Sequence, residues 1–159
     1  YIDADIRIMN QATNIFDEID TFGMVQDHKA DLWRRAKMQE WLDKHHNGLT
    51  VKHYFNGGVL ASNKSSIKQL LSVVPNDIIE FWHTTKDMFP HGYNQNILNY
   101  CIIKSGIKYQ ELSAKWNRIC RNASENDYFI HYVANKNQIQ TDLDKFKDNN
   151  YNPNITMTL

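Results

Sequence analysis

Residues 1–10 read YIDADIRIMN. Asp3 and Asp5 stand one residue apart beside a short apolar run, and like charges that close repel unless a cation, a helix terminus or open solvent offsets them. Read as the C-terminal end of a strand, the pair lies at the sheet edge where open α/β folds bind ligands. Carboxylates at i and i+2 of a strand point the same way, and a kink there brings both onto one hard cation such as Mg²⁺ or Mn²⁺. A solvated turn with two capping aspartates explains the same residues equally simply. A strand of usual length needs apolar residues ahead of Tyr1, so the natural protein is expected to continue toward its N-terminus.

Downstream, the apolar spacing switches between helical and strand periods. Asn10 or Thr13 caps a short helix carrying Ile15, Phe16 and Ile19. FGMVQD (22–27) is a brief strand ending on Asp27, and Ala30 to His46 is helical, with Leu32, Trp33, Ala36, Trp41, Leu42 and His45 as its stripe and Gly48 as its stop. HYFNGGVLASN (53–63) reads as a glycine turn entering the strand Val59-Leu60-Ala61. Ile67, Leu70, Leu71 and Val74 mark a helix stopped by Pro75, and a second helix follows from Asp77 to Lys86. GYNQNILNYCIIKSG (92–106) is a helix with Tyr93, Ile97, Leu98, Cys101 and Ile102 on one face. IKYQEL (107–112) and YFIHYV (128–133) have strand character, and IQTDLDKFK (139–147) is a last short helix. The interleaving predicts an α/β architecture in one domain, 1–147, with a polar tail at 148–159.

The 18 basic and 18 acidic residues cancel, so bulk charge points neither to nucleic acid nor to an anionic membrane surface. No apolar run approaches the roughly 20 residues a membrane helix needs. Cys101 and Cys120 are too few for a disulfide framework and sit in no CxxC, so both are expected reduced, and a soluble domain in the cytoplasm is the expected setting.

Three further segments carry chemistry. In YFNGGV (54–59) two glycines let backbone approach a ligand, and the Asn56 amide can both donate and accept toward sugar hydroxyls, although Asn-Gly is also a hairpin signal. In YNQNILN (93–99) Asn94, Gln95 and Asn99 are neutral amides suited to polyols, or simply solvated positions. In FIHYVANK (129–136) His131 offers an imidazole nitrogen to a metal and Lys136 an ammonium to a phosphate, while a strand histidine is as readily a hydrogen-bonded core residue.

Taken in order, these segments resemble the retaining glycosyltransferases of family 8, the glycogenin-like and lipopolysaccharide galactosyltransferase-like enzymes. YIDADIRI looks like their strand-borne DxD, HYFNGGVLASN like their YFNAGVLLIN, and GYNQNILNY like their DQDxLN helix. LSAKWN (112–117) is similar to their LPxxWN strand, and FIHYVANK to their closing IxHxxGxxKPW. The likeness runs from Tyr1 to about Lys136.

The resemblance implies a GT-A fold lacking its N-terminal nucleobase-binding half, so that 1–147 is the metal-binding and acceptor-side part of the catalytic domain. It implies a metal-dependent retaining hexosyltransferase that moves a sugar from a nucleoside-diphosphate donor, typically a UDP-sugar, to a glycan or protein acceptor with Mn²⁺ or Mg²⁺. By the motif match Asp3, Asp5 and His131 ligate the metal. Asp3, Asn56, Gly57, Asp27 and Lys136 bind the donor, and Gln95 and Asn94 lie beneath the anomeric carbon. Asn94 stands where the family has aspartate, Ala134 where the closing motif has glycine, the lysine comes one residue early and no Pro-Trp follows. These departures motivate an alternative, a sugar-nucleotide or glycan binding module impaired in turnover. An aspartyl phosphatase built on the same DxD is disfavoured, because Ile6 and Arg7 follow Asp5 where such enzymes place Thr or Val two residues on.

Overall fold

The structure, a computed structural model, describes residues 1–27, 31–89, 93–133 and 138. Phe22–Gln26 forms strand β2, and its side chains split between two cores as a period of two requires. Phe22 and Met24 face one apolar cluster and Val25 the other. β3 (Phe55–Ser62) runs antiparallel to β2, and β4 (Gln110–Leu112) runs parallel to it on the other side, giving the order β3-β2-β4. β3 shows the same division, with Leu60 in the first cluster and Val59 and Ala61 in the second.

The first cluster is completed by four helices: α1 (Asp31–His45), α2 (Lys64–Leu70), α3 (Pro75–Thr85) and α4 (Tyr93–Ser105). The contact among α1, α3 and α4 is aromatic, while α2 adds Ile67 and Leu70. Phe81 and Tyr100 stack with centroids 4.4 Å apart, and Trp41 meets both edge-on at 5.0 and 5.6 Å. Each such pair contributes about 0.5–1.5 kcal/mol beyond its buried area, so α1, α3 and α4 are held by one ring cluster. The second cluster lies under a smaller sheet of β1 (Ile6–Ile8), β6 (Phe129–His131) and β5 (Arg118–Ile119), ordered β1-β6-β5, with Trp116 and Phe129 at its centre. The described residues therefore make a mixed α/β domain with two small mixed sheets. No helix among them is long and apolar enough to cross a membrane.

Several local expectations are corrected. The acidic pair does not end a strand: Ile2 bridges to Val59, Asp3 N–H donates to the Gly58 carbonyl at 2.8 Å, and the chain turns at Ala4 and Asp5 before entering β1. The first short helix is a single 3-10 turn, Ile15–Asp17, capped by Asn14 rather than Asn10 or Thr13. β3 continues through Gly57 and Gly58 with no hairpin turn: β2 pairs with it at Phe55 and again at Leu60–Ser62, with a register shift between, and in that gap Ile2 bridges to Val59 and Asp3 N–H bonds to the Gly58 carbonyl. LSAKWN forms a 3-10 turn over Ala114–Asn117, not a strand.

The apolar stripes also differ. Of the stripe expected on α1, Trp41 and Leu42 are buried, joined by Met38, while Leu32 is 74% exposed and Trp33 is exposed too; Leu71 and Val74 face outward after α2 ends at Leu70. Pro75 opens α3 at its first turn, where its missing N–H costs nothing. The helix expected at 139–147, the tail at 148–159 and the altered closing residues Ala134 and Lys136 lie outside the described residues.

Candidate metal centre

Asp3, Asp5 and His131 meet. Their ligand atoms all lie within 4.8 Å of one another. His131 Nε2 is 3.1 Å from Asp5 Oδ1 and 3.8 Å from Asp3 Oδ2. The backbone brings this about in two steps. The antiparallel register sets Ile6 opposite His131, and Tyr132 N–H donates to the Asp5 carbonyl at 2.9 Å, so β6 carries the imidazole to the turn that holds the carboxylates. The Tyr1 hydroxyl donates to Asp3 Oδ1 and fixes that side chain, and the carboxylate in turn raises the Tyr1 pKa.

The imidazole is buried and backed by a row of amides. Nδ1 of His131 is 2.8 Å from Asn117 Oδ1, Asn117 Nδ2 donates to Asn56 Oδ1 at 2.7 Å, and that oxygen also accepts from Gly58 N–H at 2.8 Å. Gly58 is required for this packing: a Cβ there would sit 2.5 Å from His131 Cε1 and 2.6 Å from Nδ1. The second glycine of the NGG stretch thus serves an imidazole, not a turn.

This donor set fits one divalent ion. The two carboxylates are oxygen ligands of the kind Mn²⁺ and Mg²⁺ take, while the imidazole nitrogen is a softer ligand that favours Mn²⁺ of the two; neighbouring ligands of a six-coordinate ion with bonds of about 2.1 Å stand roughly 3 Å apart, against 3.1 Å from His131 to Asp5 and 3.8 Å to Asp3. A nitrogen lone pair aimed at two carboxylates is repulsive until a positive charge, a proton or a metal ion, comes between them.

All the expected site residues within the described chain, Asp3, Asp5, Asp27, Asn56, Gly57, Asn94, Gln95 and His131, line one cleft of about 1000 Å³. Gln95, on the first turn of α4, spans it: Oε1 accepts from Gly57 N–H at 3.2 Å and Nε2 donates to Asp27 Oδ2 at 2.8 Å. Asn94 is exposed beside it. Asn56 has its carbonyl oxygen taken by two internal donors, so what it can offer a ligand is its NH₂. Asn99 is not a ligand group. It is 1% exposed, exchanges both backbone bonds with Phe55 at 2.7 and 2.9 Å, and pins α4 to the start of β3.

Asn117, within the LSAKWN stretch, and Arg34 and Arg121 on the cleft wall carry no local signal in the sequence that marks them for the site. Nor does Asp127, which is buried, accepts from Ser124 N–H at 2.7 Å and pairs with Arg118 Nε at 3.2 Å, tying β5 to the loop before β6. No protein-family model, no curated protein and no solved structure matches this chain.

Proposed function

We propose that the domain is the metal-binding and acceptor-side part of a GT-A-type glycosyltransferase, transferring a hexose from a nucleoside-diphosphate donor, a UDP-sugar in the first instance, to a glycan or protein acceptor with retention. What supports this most is the convergence of Asp3, Asp5 and His131, from opposite ends of the described chain, in a cleft shared with Gln95 and Asn94. A divalent ion held by those three residues supplies electrostatic stabilisation of the departing diphosphate.

The chain's own residues do the rest. With such an ion in place, Arg34 and Arg121 tip the cleft's charge positive against Asp3, Asp5 and Asp27, which suits an anionic donor. Gln95, held by Gly57 and Asp27, keeps a neutral amide in a fixed place rather than a carboxylate nucleophile. That arrangement agrees with a same-face course in which the leaving diphosphate accepts the proton of the incoming hydroxyl. Preorganised dipoles of this kind act where charge develops.

The second reading, a binding module impaired in turnover, is favoured by one observation: both arms of the Gln95 amide are engaged within the protein, and the neighbouring Asn94 has no carboxylate. Release of free nucleoside diphosphate from a panel of nucleotide sugars, with and without Mn²⁺ and with Asp5→Asn as control, decides between the two. Mn²⁺-dependent release that Asp5→Asn abolishes is the expected result. Donor binding without release supports the module, and equal release by Asp5→Asn removes the metal assignment.

A further inference from the structure

Gly58 N–H fixes one end of a hydrogen-bond row whose other end is the metal-facing imidazole. A backbone amide can only donate, so the Asn56 atom 2.8 Å from it is the oxygen. That oxygen is also 2.7 Å from the Asn117 amide, and Asn117 must therefore turn its NH₂ toward it, since two carbonyl oxygens at that distance repel. The Asn117 oxygen is left pointing at His131 Nδ1, 2.8 Å away. An oxygen without hydrogen can be met there only by an N–H.

From this row we propose that Asn117 is a positioning residue which holds His131 in the Nδ1-protonated tautomer, and so presents the bare Nε2 to Asp3, Asp5 and the cation between them. The assignment of the tautomer stands on the hydrogen-bond row alone; its use for metal binding rests on the function proposed above. The row has little freedom to rearrange. Asn117 and His131 are each 5% exposed, and Gly58 packs so tightly on the ring that a methyl group there would overlap Cε1 and Nδ1. Metal-binding histidines commonly have the far nitrogen held this way, and losing the holder typically weakens metal affinity 10- to 100-fold. In this chain the holder is an amide rather than a carboxylate, so the ring is oriented without adding another negative charge to the site.

The test is a long-range ¹H–¹⁵N imidazole correlation spectrum of the full metal-free chain, recorded well above the ordinary imidazole pKa of about 6.5, together with a Mn²⁺ titration followed by EPR. His131→Gln identifies the signal. The wild-type spectrum is expected to show His131 with hydrogen on Nδ1, whether or not a proton takes the place of the cation at Nε2. Asn117→Leu is expected to mix the tautomers and weaken Mn²⁺ binding by about 10- to 100-fold. Asn117→Asp, which keeps an acceptor for Nδ1–H, is expected to preserve the tautomer and most of the affinity. A wild-type His131 without hydrogen on Nδ1 overturns the proposal, and so does an Asn117→Leu variant with unchanged tautomer and unchanged Mn²⁺ affinity. If Asn117→Leu does not fold, the wild-type spectrum and Asn117→Asp still decide. A wild type with the stated tautomer that binds no Mn²⁺ upholds the role of Asn117 and overturns the metal reading instead.

Discussion

His131 lies against Gly58 so closely that the ring occupies the place where any other residue would carry its Cβ. The two glycines of the NGG stretch therefore differ. A Cβ on Gly57 would meet Gln95 at 3.6 Å or more, ordinary contact, whereas one on Gly58 would overlap the buried imidazole. Gly58→Ala is expected to cost about 1–3 kcal/mol by overpacking and to weaken Mn²⁺ binding at least about tenfold. Gly57→Ala should leave stability unchanged or raised by roughly 0.4–1 kcal/mol and Mn²⁺ affinity unchanged. Urea melts and Mn²⁺ titrations of the two variants make the comparison, and equal effects would contradict the assignment of Gly58.

Mn²⁺ itself should stabilise the fold. An ion bound by the native arrangement of Asp3, Asp5 and His131 and not by the unfolded chain adds about 2.7 kcal/mol when present at a hundred times its Kd. A concentration-dependent rise in Tm is expected for the wild type and should vanish in Asp5→Asn. A rise of the same size in both proteins would place the ion elsewhere.

His46 predicts a fall in stability on acidification. Its Nε2 is 3.1 Å from the Tyr100 hydroxyl and its Nδ1 is 3.3 Å from Lys104 Nζ, so the neutral ring donates to the phenol and accepts from the ammonium. Burial first, then the Lys104 charge, holds the imidazole below its usual range, against the opposing pull of Asp77 and Glu80. The unfolded chain therefore takes up this proton at a higher pH than the folded one. The contribution of His46 is whole above about pH 6.5 and is lost as pH falls from there through the lower folded-state pKa. Between about pH 7 and 5.5 Tm should drop more in the wild type than in His46→Gln; parallel curves would show that His46 is not the group responsible.

The two cysteines should react unequally. Burial in the helical core pushes the Cys101 thiol up to about 11, whereas Cys120 is half-buried on the cleft wall. Only the thiolate attacks disulfide reagents, so at about pH 8 Ellman's reagent should modify Cys120 while Cys101 waits for unfolding by guanidinium. Fast modification of both would mean that the ring cluster of Trp41, Phe81 and Tyr100 opens readily.

Much of the element pattern was legible because it is local. FGMVQ reads as a short strand and the spacing of Ile97, Cys101 and Ile102 is helical, and both elements form there. The residue types of the site were legible too, since two aspartates one apart and a strand histidine are metal-binding chemistry wherever they fall. Burial was less so: Leu32, Leu71 and Val74 fit an apolar stripe on paper and face outward in the fold, because a stripe is buried only where another element covers it.

The sequence by itself determined where the longer helices and β2 form and which side chains are available to hold an ion or a sugar, for both follow from covalent chemistry and short-range periodicity; it did not determine that Gly57 and Gly58 lie within β3 or that LSAKWN forms a 3-10 turn. Tertiary structure alone decided that β6 sets His131 beside the turn of Asp3 and Asp5, that Gly58 yields its Cβ space to that ring, and that Asn117 stands behind it. Those relations join residues far apart along the chain, and their geometry is fixed by strand register and by close packing, neither of which leaves a mark in local spacing.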